Sequence, residues 1–106
     1  IAQYQYTQFQ LAEMQTKVDA ARLLVYRAAQ AKQDGEPYAR EAAMSKLFAS
    51  QTAVDVTRRC IDLVGADGVS QEYPFERMMR DAKITEIYEG TSEVQRMVIA
   101  AAMGIK

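Results

Sequence analysis

Apolar and polar residues alternate along this chain in steps of three and four, the spacing of one face of an α-helix. Leu11, Met14, Val18, Ala21, Val25 and Ala28 form the first such stripe, inside a stretch from about Ala2 to Lys32 that holds neither Gly nor Pro. Gln8, Gln15, Lys17, Asp19 and Arg22 fall largely off it, while Leu23 and Leu24 broaden its apolar side. The pattern predicts one long helix packed on more than one neighbour, with a glutamine-rich start that is solvated or faces a subunit. Gln33 to Pro37 reads as a turn. Gly35 suits a left-handed C-cap, and Pro37 cannot continue the first helix but can open the next.

A second stripe, Ala43, Leu47, Ser50, Val54, Thr57, Ile61 and Val64, predicts a helix from about Tyr38 to Val64. Its alanines and serines permit close approach of neighbours. Arg58 and Arg59 stand near its end, where positive charge complements the helix dipole. The run GADG from Gly65 to Gly68 closes it; following no strand, it is not a dinucleotide-binding fingerprint. Pro74 opens a short third helix to about Ala82, with Phe75, Met78 and Met79 as its apolar contacts. Arg80 and Asp81 are expected to tie down the following loop by ion pairs. A fourth helix is expected from about Thr91 to Met103, with Val94, Val98 and Ala101 on one face. No alternating pattern is long enough for a sheet. The expectation is an all-α up-down helical bundle over residues 1–106, three long helices and one short one in a single domain.

Composition narrows the function. A chain of 106 residues with 49% apolar and 25% charged positions suits one globular domain. A net charge of −1, with both signs interspersed, argues against a nucleic acid or an anionic membrane as main partner. No apolar run approaches the roughly 20 residues of a membrane span. The single cysteine, Cys60, cannot form an internal disulfide and reads as a packing residue in a reducing compartment. Without histidine, His-dependent triads are excluded and no metal site is expected. Because the chain starts at Ile1 rather than at methionine, it is expected to be a fragment or a processed product.

The segment Asp81–Arg96, DAKITEIYEGTSEVQR, concentrates the candidate chemistry. Glu89 stands between an aromatic, Tyr88, and Gly90, which admits backbone angles closed to other residues. Thr91 or Ser92 can cap the helix that follows, and Glu93 falls in its first turn. Free N–H groups at such a helix start attract anions and phosphates. On these residues alone, a loop glutamate reads more readily as a surface charge than as a base.

IYEGTSEVQR, preceded by RDAKI, resembles the C-terminal signature of acyl-CoA dehydrogenases; YPFERMMRDAKI, EAAMSKLFAS and AARLLVYRAA extend the resemblance over essentially the whole chain. It implies the C-terminal helical domain of a short- or medium-chain enzyme, without its N-terminal helical and middle β domains. It further implies FAD as cofactor and oxidation of an acyl-CoA to the trans-2-enoyl-CoA. Glu89 would be the base that removes the α-proton. Its own N–H and an FAD ribityl hydroxyl would hold the thioester carbonyl, and the β-hydrogen would leave as hydride to the flavin. Tyr88 would line the acyl pocket and Gly90 would lie against the substrate. Thr91 and Glu93 match positions that contact FAD, and Arg96 one near the CoA or cofactor end. Burial beside Tyr88 and a flavin is expected to raise the pKa of Glu89 towards neutrality.

Gly65 and Gly68 match a glycine turn that approaches the FAD pyrophosphate of a neighbouring subunit. Asp62, Ala66 and Val69 depart from the glutamine, glycine and aromatic usual there, and an acid beside a diphosphate is unfavourable. The resemblance also implies a homotetramer, an electron-transfer flavoprotein as partner, and a bacterial cytoplasmic or mitochondrial-matrix location. With half a site, the 106-residue chain alone is expected neither to hold FAD tightly nor to turn over. Two other readings stay open: a relative acting as acyl-CoA oxidase or enoyl-CoA reductase, and a non-catalytic helical bundle for self-assembly.

Overall fold

The computed structural model describes residues 1–105. All of its regular structure is helical: α1 Gln5–Gln33, α2 Ala39–Val64, α3 Phe75–Lys83 and α4 Ser92–Ala102, with 3-10 turns at Gly65–Val69 and Ile84–Glu86. Two helices are long, of 29 and 26 residues, and two are short, of 9 and 11 residues, rather than three long and one short. α4 stops at Ala102 because the chain turns back on it. The N–H of Ile105 donates to Ala100 O and that of Gly104 to Ala101 O, each at 3.0 Å. The same six-residue closure ends α1 at Gly35, where Glu36 N–H reaches Ala31 O at 2.9 Å.

α2 is the hub. α1, α3 and α4 each pack on it and scarcely on one another. The molecule is therefore elongated, 46 × 26 × 26 Å. On α1 the buried residues are Thr7, Met14 and Ala21, spaced by seven, one row facing α2. Leu11 and Val25, expected in the stripe, are exposed. So are Tyr4, Tyr6, Phe9, Leu23 and Tyr26. The second neighbour expected for this helix is thus absent among the described residues. On α2, Ala43 and Ser50 form one buried row and Ser45 and Thr52 another, about 200° apart around the axis. Two buried rows follow from α2 being covered on more than one side. The buried side chains are mostly small, so the helices approach closely and the interior holds little apolar volume.

The α1–α2 seam carries a charged network that the apolar stripes did not announce. Lys17 Nζ lies 2.9 Å from Asp55 Oδ2, Arg59 Nε 3.0 Å from the same oxygen, and Arg59 Nη1 2.7 Å from Glu13 Oε2. Arg58 Nη2 adds a contact of 3.3 Å to Asp55 Oδ1. Arg58 and Arg59 therefore serve as partners of carboxylates, not as helix-end charges; the last turn of α2 holds no base. Burial pushes the Asp55 carboxyl up, but hydrogen bonds from Lys17 and Arg58 and the charges of Lys17 and Arg59 outweigh it and hold it below the usual range. Cys60 is half-buried within this helix. No described helix is long and apolar enough to cross a membrane.

Candidate active site

The candidate site is built where α3 hands over to α4. The chain leaves α3 through the 3-10 turn Ile84–Glu86, in which Thr85 Oγ1 donates to Ala82 O at 2.5 Å. The N–H groups of Ile87 and Tyr88 both donate to Ile84 O at 3.0 Å. Two left-handed residues follow, Glu89 at φ 55° and Gly90 at φ 103°. For Glu89, the only non-glycine residue with positive φ among those described, this conformation costs about 1–2 kcal/mol. Gly90 meets the same demand without a side chain; a Cβ there would stand 2.5 Å from Gln95 Nε2. Thr91 then caps α4, its Oγ1 accepting from Val94 N–H at 3.2 Å.

Arg80 and Asp81 do not tie this loop down. Arg80 Nε lies 2.7 Å from Glu76 Oε2 and Arg77 Nε 4.0 Å from Asp81 Oδ2, both pairs inside α3. In a short helix, (i, i+4) partners are nearer than a loop that turns away. The loop is anchored by Lys46 of α2, whose ammonium donates to Thr85 O and, at 2.8 Å, to Gly90 O. Sequence reasoning missed Lys46. The only trace of it in the chain is a lone base between Ser45 and Leu47 in EAAMSKLFAS.

Beside this anchor lies a cavity of about 370 Å³, lined by Lys46, Ala49, Ser50, Ala53, Thr85, Tyr88 and Glu89. Its floor is α2, where small residues leave room, and Tyr88 and Glu89 stand at its rim. Both rim residues are exposed, so the burial expected for Glu89 is not supplied by the walls of this chain. The main-chain N–H of Glu89 donates to no acceptor among the described residues. A carboxylate and a free donor thus stand side by side at the mouth of an apolar cleft.

The other expected site residues lie apart from the cavity. Glu93 and Arg96 are exposed on α4 and approach each other at 3.8 Å. Gly65, with φ 84°, ends α2 about 18 Å along its axis beyond Ala53, and Gly68 lies in the turn that folds back on that end. Gly68 is buried, and a Cβ on it would meet Ile61 O at 2.7 Å and Ile61 Cα at 2.9 Å. Close packing of the turn on α2 therefore demands glycine there. Asp62, beside this turn, is exposed and lies 3.8 Å from Arg58.

Known proteins share this outline. The family model described as acyl-CoA dehydrogenase, C-terminal domain, matches residues 1–104. A short-chain specific acyl-CoA dehydrogenase from Clostridium acetobutylicum is 56% identical over 90 residues, 85% of this chain and 24% of that protein. The butyryl-CoA dehydrogenase from Megasphaera elsdenii superimposes with a TM-score of 0.94 at 49% identity, over 96% of this chain and 27% of that one. A chain from a structure described as the electron transferring flavoprotein of Acidaminococcus fermentans, with flavin-based electron bifurcation as its subject, matches with the same TM-score, identity and coverage. This chain spans about a quarter of the length of the curated relatives it matches, 24% and 27% for the first two.

Proposed function

Because the chain belongs to the acyl-CoA dehydrogenase family, as its C-terminal domain, we propose that it supplies the catalytic base of an FAD-dependent enzyme that oxidises a short-chain acyl-CoA to the trans-2-enoyl-CoA. The observation that carries this reading is the placement of Glu89. Among the described residues it is the only carboxylate lining the cavity, and it is held there on a left-handed turn.

The residues present suit FAD in chemistry. The cleft is apolar, floored by alanines and open on its outer side, where a flat ring system could cover it. Once bound, FAD supplies the acceptor for the β-hydrogen and its two electrons. Thr91 and Glu93 are proposed to contact it, and Arg96 to face the CoA. Gly65 and Gly68 are proposed to serve the FAD of a neighbouring subunit, which suits their place at the far end of α2 from the cavity. Asp62 is the unfavourable neighbour in that arrangement.

The chain's own residues have three tasks. The Glu89 carboxylate takes the α-proton of the thioester and becomes a carboxylic acid. The Glu89 N–H donates to the thioester carbonyl oxygen, where negative charge builds as that proton leaves. Tyr88 and Gly90 bound the acyl chain and, with the small residues of α2, keep water from it. The exposed apolar residues of α1 suit burial against a further domain or subunit, in line with a homotetramer. An electron-transfer flavoprotein is proposed as the electron acceptor, and a bacterial cytoplasmic or mitochondrial-matrix location goes with it.

Glu89→Gln in the holoenzyme tests the reading. Turnover should fall by at least roughly 100-fold with FAD still bound, and unchanged turnover would leave the helices as an assembly module. The purified 106-residue chain should show no flavin absorbance, since its walls leave the cleft open.

A further inference from the structure

We propose that Lys46 is the positioning residue that sets where the Glu89 carboxylate stands, by clamping both ends of the loop that carries it onto α2; this rests on the reading of Glu89 as the base. Lys17, Arg59 and Lys83 each pair with a carboxylate. Lys46 instead donates to two main-chain carbonyls, Thr85 O and Gly90 O. One carbonyl precedes the Glu86–Glu89 segment and the other follows it directly. The segment between them has little else to hold its exit: Gln95 Nε2 reaches Glu89 O and Gly90 O only at 3.5 Å.

The clamp also explains how a strained residue persists. A left-handed glutamate survives only where its surroundings over-determine it, and Gly90 O lies one peptide beyond it. A bond from a charged donor is about twice as strong as a neutral one, and this one is part-buried. Lys46 lines the same cavity as Glu89. One side chain therefore fixes the loop and forms part of the wall the substrate would meet.

Lys46→Met keeps the aliphatic stem and removes the donors. In a holoenzyme carrying this domain, kcat should fall on the order of 10- to 100-fold, the scale of a displacement of about 1 Å. FAD content should stay near the wild type. Hydrogen exchange at the amides of residues 87–90 should quicken while that of α1 does not change. If Lys46→Met does not fold, Lys46→Ala, which also removes the donors, carries the same comparison. Unchanged kcat in the Lys46 variant, with Glu89→Gln inactive, overturns the clamp and leaves the base standing. Turnover that survives Glu89→Gln overturns both. A fall in kcat with loop exchange at the wild-type rate also overturns the clamp, because Lys46 would then act by charge rather than by holding the loop.

Discussion

Lys46 and Asp55 both sit on α2, on opposite sides of it at about 100° per residue, and each holds a neighbour by different means. Asp55 meets Lys17 of α1, and Arg59 beside it meets Glu13. Every partner in that seam is a side chain on a regular helix. Lys46 meets carbonyls of the 3-10 turn and loop that join α3 to α4. A helix has satisfied its own main chain and offers its neighbours side chains alone. A loop that is neither helix nor strand has spare carbonyls, and a cation can hold it without regard to which residues it contains. The seam therefore serves stability, and the clamp serves the position of Glu89.

That contrast predicts that loop variants change turnover more than stability and that seam variants do the reverse. After Glu89→Gln, Gly90→Ala should have the largest effect of the variants at the junction. It puts a side chain on a residue at φ 103°, costing about 1–2 kcal/mol, and it moves the peptide next to Glu89. A fall in kcat of about 100-fold, measured beside a modest loss in melting temperature, would sharpen the contrast; a loss confined to stability would break it. Asp55→Asn should cost about 1–2 kcal/mol in denaturant unfolding, because Lys17 and Arg59 lose their charged partner, and should leave kcat unchanged.

The acid limb of stability belongs to the same prediction. Because Asp55 is held below its ordinary range in the fold, its contribution is complete above the unfolded value, about 3.9, and is lost as pH falls through the lower folded value. Glu41 acts in the same direction, through a hydrogen bond with its own backbone and the neighbouring Arg40. Unfolding free energies across acid pH should therefore show a shallower loss in Asp55→Asn than in the wild type, with the Glu41 part remaining. The smallest effect is expected at Glu76→Gln, which breaks an exposed (i, i+4) pair with Arg80. It should shift stability far less than Asp55→Asn does and kcat not at all, because that pair lies inside α3.

The number of helices and their boundaries could be read from the chain. Gly35 closes α1, Gly65 is the C-cap of α2, and Thr91 caps α4. These are local events, decided by one residue's angles or one hydroxyl within a turn. The Tyr88–Glu89–Gly90 motif could be picked out for the same reason, since Gly90 and Thr91 advertise the turn.

Packing and the anchoring of the loop could not be read there. Which side of α1 is covered depends on what lies against it; α2 takes the row at Thr7, Met14 and Ala21 and leaves Leu11 and Val25 exposed. The left-handed angle of Glu89 has no mark in a residue whose own preference runs against it. Lys46 stands more than three dozen residues before the carbonyls it grips, and carbonyls are the same in every residue. Local geometry is written in side chains one turn apart and so is legible along the chain. A bond between a distant cation and the main chain exists only once the helices have brought the two together.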